Sequence, residues 1–130
     1  QSTLDKVSDE IAANKQSVDA LDNNAQTNVH ILTSLQEEIH ILRTMEFLTR
    51  ARLFLSQSNL AQSEINILKS LELLERWQHQ LPDERSATLE LVATYLETAL
   101  SVLPEGPLTA ADQLERAWQL LIQETPEKSP

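Results

Sequence analysis

One pattern limits the fold of this chain more than any other: a narrow apolar stripe over residues 4 to 42 that repeats every 3.5 residues. With Leu4 as heptad position a, the a positions are Leu4, Ile11, Val18, Ala25, Leu32 and Ile39. The d positions are Val7, Asn14, Leu21, Asn28, Leu35 and Leu42, so ten of the twelve seam positions are apolar. The register holds for six heptads, and no proline or glycine interrupts it. That is the signature of a helix built to pair with other helices. Outside the stripe the larger apolar residues are Val29, Ile31 and Ile41, all late in the segment.

Burial of each such side chain is worth roughly 1.5–3 kcal/mol. A lone helix cannot bury its own stripe. A helix from Leu4 to Leu55 would be roughly 80 Å long, whereas later helices of 15–20 residues reach roughly 30 Å. The expected cover is therefore other copies of the chain, with an antiparallel or heterologous partner helix as the alternative. Asn14 and Asn28 at d lower seam stability but set register and strand number. The segment Ile11-Ala12-Ala13-Asn14 resembles the layers with Asn at d in the stalks of trimeric autotransporter adhesins. That resemblance implies a parallel trimer, with a dimer as the other option. In a parallel pairing Glu10 (g) would face Lys15 (e) of a neighbour.

After Leu42 the next seam positions are Glu46 and Thr49, and the stripe ends. Apolar residues move to Ile41, Met45, Leu48 and Leu55, joined by Phe47, Ala51 and Phe54. This is a face turned by roughly 100° on the same helix. One helix is expected to serve other chains first and its own chain afterwards. Ser56-Gln57-Ser58-Asn59 breaks it, and Asn59 with Gln62 reads as a capping box. Helix two should run to about His79 with Leu60, Ala61, Ile65, Leu68, Leu71, Leu73, Leu74 and Trp77 inward. Leu81-Pro82-Asp83 ends it. Helix three carries Leu89, Leu91, Val92, Tyr95, Leu96, Leu100 and Leu103. After the turn Pro104-Glu105-Gly106-Pro107, Thr109 with Asp112 reads as a cap for helix four, lined by Leu114, Ala117, Trp118, Leu121 and Ile122.

The expected fold class is all-α: a long N-terminal coiled-coil helix running into a small four-helix bundle. The domains would be 1–44 (oligomerisation helix), 45–123 (bundle) and 124–130 (polar tail). Stacked hairpins of the short-repeat kind are the alternative to a bundle, although no 34-residue period repeats its signature residues.

Composition removes whole classes of function. There is no cysteine, which excludes disulfides, thiolate catalysis and Cys-ligated metal sites. The single glycine, Gly106, rules out a glycine-rich phosphate loop. A net charge of -10 opposes binding to nucleic acid. No stretch approaches the ~20 apolar residues of a membrane span. No serine or threonine stands in a nucleophile elbow. Glu37 and His40 make a single Glu-x-x-His, where a di-iron bundle needs two and further carboxylates. Glu75 and His79 are ordinary helical neighbours, and His30 and His40 read as surface histidines. No cofactor or metal is expected, and the chain does not read as an enzyme.

Arg43, Arg50 and Arg52 should pair with Glu46 and with acids of helix two, and Trp77 and Trp118 should anchor the core. The stretch from Glu46-Phe47-Leu48-Thr49-Arg50-Ala51-Arg52-Leu53 to Leu68-Lys69-Ser70-Leu71-Glu72-Leu73-Leu74 is similar to the helical region shared by HemX and mitofilin proteins, departing from it at Asn59 to Ser63. The resemblance implies a scaffold in the extracytoplasmic part of a bacterial membrane-anchored protein. The chain opens on Gln1 rather than methionine, which predicts an excised piece with room upstream for a signal peptide or anchor. The expected function is a self-associating scaffold with a protein partner; the other reading is a ligand-sensing or signal-transmitting bundle.

Overall fold

A computed structural model describes residues 2–125. Among them the chain forms four α-helices and one 3₁₀ turn, with no strand: α1 (Ser2–Ser56), α2 (Leu60–Trp77), the turn Gln78–Gln80, α3 (Asp83–Val102) and α4 (Pro107–Gln123). The tail predicted for 124–130 lies beyond Thr125 outside the described residues. Compactness divides the chain between Gln36 and Glu37 rather than at 44/45. The first unit is a single helix. The second contains all of the buried core, which begins at Ile41.

Each helix of the second unit buries side chains at alternating steps of three and four. The buried set is Ile41, Thr44, Leu48, Ala51 and Leu55 in α1. In α2 those steps fall on Ile67, Ser70, Leu74 and Trp77, continued by Leu81 after the 3₁₀ turn, with Ser63, Asn66 and Leu71 buried beside them. The buried set is Leu89, Val92, Leu96 and Ala99 in α3, continued by Leu103, and Ala110, Leu114, Ala117 and Leu121 in α4. Leucine falls at the third and fifth places of the five-step pattern in every helix. This spacing keeps one stripe of each helix against its neighbours, as bundle packing requires. The four copies begin near 41, 67, 89 and 107, so the interval shortens along the chain and no constant period appears in the sequence.

Helix α2 presents a different face from the one hydropathy predicts. Ile65 and Leu68 are exposed, as is Leu91 in α3, whereas Ser63, Asn66 and Ser70 are buried. The reason is hydrogen bonding. Ser63 Oγ donates to the Ala51 carbonyl of α1 at 2.9 Å, and Ser70 Oγ reaches its own Asn66 carbonyl at 3.1 Å and the Thr44 carbonyl at 3.5 Å. Thr44 Oγ1 donates to the His40 carbonyl at 2.8 Å, and Asn66 Nδ2 to that of Gln62 at 2.8 Å. A satisfied hydroxyl costs little to bury, and its small size lets two helix backbones approach. These contacts also fix α1 and α2 as antiparallel neighbours, since Ser63 meets Ala51 and Ser70 meets Thr44.

The turns follow local chemistry. Ser58 adopts a left-handed φ of 61°, with Asn59 N–H bonded to Phe54 O at 2.8 Å and Ser58 N–H to Leu55 O at 3.0 Å. This is a Schellman closure of α1. Asn59 Oδ1 then accepts from Gln62 N–H at 3.2 Å and caps α2. Thr109 does not cap α4. The helix starts two residues earlier at Pro107, whose missing N–H and fixed φ suit the first helical position. Arg85, early in α3, ties three helices together. It bonds Glu37 of α1 at 2.9 Å, and just past α4 it bonds the Glu124 carboxylate at 3.2 Å and the Glu124 carbonyl at 2.8 Å.

The two faces of α2 separate in denaturation. Ile67→Ala should cost about 2–5 kcal/mol, while Ile65→Gln and Leu68→Gln should stay within about 0.5 kcal/mol of the parent, read from urea midpoints. Equal losses at Ile65 and Ile67 would contradict the orientation of α2.

Candidate interaction surface

All twelve seam positions are exposed: Leu4, Val7, Ile11, Asn14, Val18, Leu21, Ala25, Asn28, Leu32, Leu35, Ile39 and Leu42. Leu4 is 74% exposed and Leu21 66%. Glu10 and Lys15 are exposed as well. The seam and the bundle core overlap on α1. Ile39 and Leu42 face solvent while Ile41 and Thr44, one and two residues away, are buried. Over residues 39–44 the helix thus has two apolar faces, and the bundle claims only one.

Several expected roles change. His40 is not a freely solvated histidine; its ring stacks on Trp77 with centroids 5.6 Å apart and an interplanar angle of 18°. His40 Nδ1 and Trp77 Nε1 are both buried without a hydrogen-bond partner. Glu37, the other half of the Glu-x-x-His, is taken by Arg85. Among the described residues no group of three or more His, Cys, Asp or Glu is placed to hold a metal ion. No described helix is long and apolar enough to cross a membrane. Arg50 pairs with Glu46 at 2.6 Å as expected, but Arg52 pairs with Glu115 of α4 instead of an acid of α2. Its guanidinium also lies over the Trp118 ring, 5.6 Å from the centroid. Trp77 is a core anchor, whereas Trp118 is only half-buried. Trp118 lines an open groove of about 810 Å³ with Leu53, Leu55, Pro107, Leu108 and Ala111. Leu108 is 88% exposed there. Asp112 of α4, and then Tyr95 of α3, hold the Arg116 guanidinium above its ordinary pKa by hydrogen bonding and charge.

A second groove, about 370 Å³, runs between α1 and α2 and is lined by Arg43, Glu46, Phe47, Arg50, Lys69, Glu72, Leu73 and Arg76. Sequence reading missed it because only α1's arginines were weighed. The signal is an internal repeat: Ile-Leu-Arg-Thr-Met-Glu-Phe-Leu-Thr-Arg (41–50) against Ile-Leu-Lys-Ser-Leu-Glu-Leu-Leu-Glu-Arg (67–76). The Arg50–Glu46 pair recurs as Arg76–Glu72 at 2.6 Å.

Comparison with protein families, with curated proteins and with solved structures found no match. The likeness to HemX and mitofilin proteins rests on the residues quoted for it alone.

The stacked pair gives a test. His40→Phe keeps the ring on Trp77 and removes one orphaned nitrogen, so it should raise stability by about 1 kcal/mol, measured by urea denaturation. A loss of stability would show that the imidazole is needed where it lies.

Proposed function

We propose that the protein is a non-enzymatic helical scaffold whose copies associate through the seam of α1, as a parallel trimer or dimer. The observation that supports this most is the exposure of all twelve seam positions, ten of them apolar, along α1, whose part up to Gln36 forms a unit that is one helix. Water-exposed apolar residues are common singly, but a stripe six heptads long in one register is an interaction surface. Pairing copies along it would bury the stripe. It would also hold several bundles in fixed register, so that one bundle's weak contact with a partner protein becomes avidity. Asn14 and Asn28 would then select strand number and alignment at some cost in stability.

Sedimentation equilibrium of the whole chain tests the reading. The expected mass is a multiple of the 14.7 kDa protomer at micromolar concentration. Leu21→Glu with Leu32→Glu should return it to one protomer without unfolding the bundle. A mass of 14.7 kDa for the parent chain across that range would remove the proposal.

A further inference from the structure

The charged groove between α1 and α2 lies outside the buried core. The four helices of the second unit repeat one buried pattern, yet only α1 and α2 add the outward order of cation, glutamate three on, apolar residue next, and arginine seventh. At the registers of Arg43 and Arg50, α3 has Leu91 and Thr98, and α4 has Thr109 and Arg116. Core packing therefore does not require the cations.

The groove concentrates positive charge in an acidic chain. Four of the ten bases line it against two of the twenty acids, leaving six bases and eighteen acids elsewhere. Arg50 and Arg76 hold Glu46 and Glu72. Among the described residues neither Arg43 nor Lys69 forms an ion pair, so two cations are uncompensated. Phe47 forms part of the floor, with Arg50 Cζ and Lys69 Nζ at 5.9 and 5.8 Å from its centroid. The ring steers both cations by its quadrupole, which reduces the side-chain freedom a ligand would otherwise have to freeze.

We propose that this groove docks an acidic, amphipathic helical segment of a partner protein. On each helix the free cation and the glutamate-paired arginine are seven residues apart, or about 10.5 Å along the axis. A partner helix with carboxylates at i and i+7 matches that interval. Half-buried Phe47 and Leu73 line the groove with the cations, so apolar side chains would find contact too. A duplex or an anionic bilayer would meet the charge of the whole molecule, which is repulsive, whereas a short segment within a Debye length of about 10 Å meets the local field. All eight lining residues lie in the second unit, so the proposal stands whether or not the chain self-associates.

Fluorescence anisotropy of the full chain with a labelled helical peptide carrying Glu at i and i+7 beside leucines provides the test. Saturable binding is expected. It should weaken about tenfold in Arg43→Gln/Lys69→Gln and fall as NaCl rises, and it should vanish for the peptide with Gln in place of Glu. Both substituted residues are exposed and outside the internal ion pairs, so circular dichroism and sedimentation mass should not change. No saturable binding, or equal binding by the Gln peptide or by the double variant, overturns the proposal. So does tighter binding of inorganic phosphate or of phosphatidylglycerol vesicles than of the peptide.

Discussion

An apolar stripe stepped by three and four residues needs a second helical surface, and both units of this chain carry such a stripe. In the second unit, four helices carry it and supply one another's cover. Leu48, Leu74, Leu96 and Leu114 are fully buried at equivalent positions. In the first unit, one helix carries it. Ile11, Leu21 and Leu32 occupy the positions that would be core in a bundle, yet they face water in the isolated protomer. The same physical demand is met inside the protomer in one place and left for other molecules in the other.

The boundary between these regimes is a rotation of the apolar face rather than a break in the helix. Between Ile39 and Thr44 both faces coexist. The bundle takes Ile41 and Thr44, and Ile39 and Leu42 continue the seam. Close contact of α1 with α2 is carried by hydroxyls whose protons return to backbone carbonyls. Thr44 and Ser70 occupy equivalent places in the 41–50 and 67–76 repeat and meet each other in the fold. Small polar residues thus do what alanine does elsewhere in the core, at Ala51, Ala99 and Ala117.

Much of this was legible in the sequence. The all-helical class, the Asn59 cap, the stop near Pro82 and most of the α3 and α4 core follow from periodicity and from proline and Asx chemistry. The inward face of α2 did not, because hydropathy counts Ser63 and Ser70 as polar and Ile65 and Leu68 as apolar. It cannot see that a hydroxyl bonded to a carbonyl is content inside. His40 falls at b of the seam's heptad, an outward position, and that wheel ceases to describe surroundings once a second face opens on α1. Arg52's partner on α4 and Arg85's bridge to Glu37 and Glu124 are long-range pairings that helical spacing does not encode. The seam is exposed in the protomer, and what covers it belongs to the proposal of self-association.

That proposal can be read amide by amide. An isolated helix is held by little beyond its own hydrogen bonds and exchanges quickly, whereas a helix packed in a seam is protected. Hydrogen exchange of the whole chain, followed over a range of protein concentrations, compares residues 4–35 with 41–121 in one sample. Protection of 4–35 that rises with concentration, while 41–121 stays constant, is the predicted result. Fast exchange of 4–35 at every concentration would contradict the account.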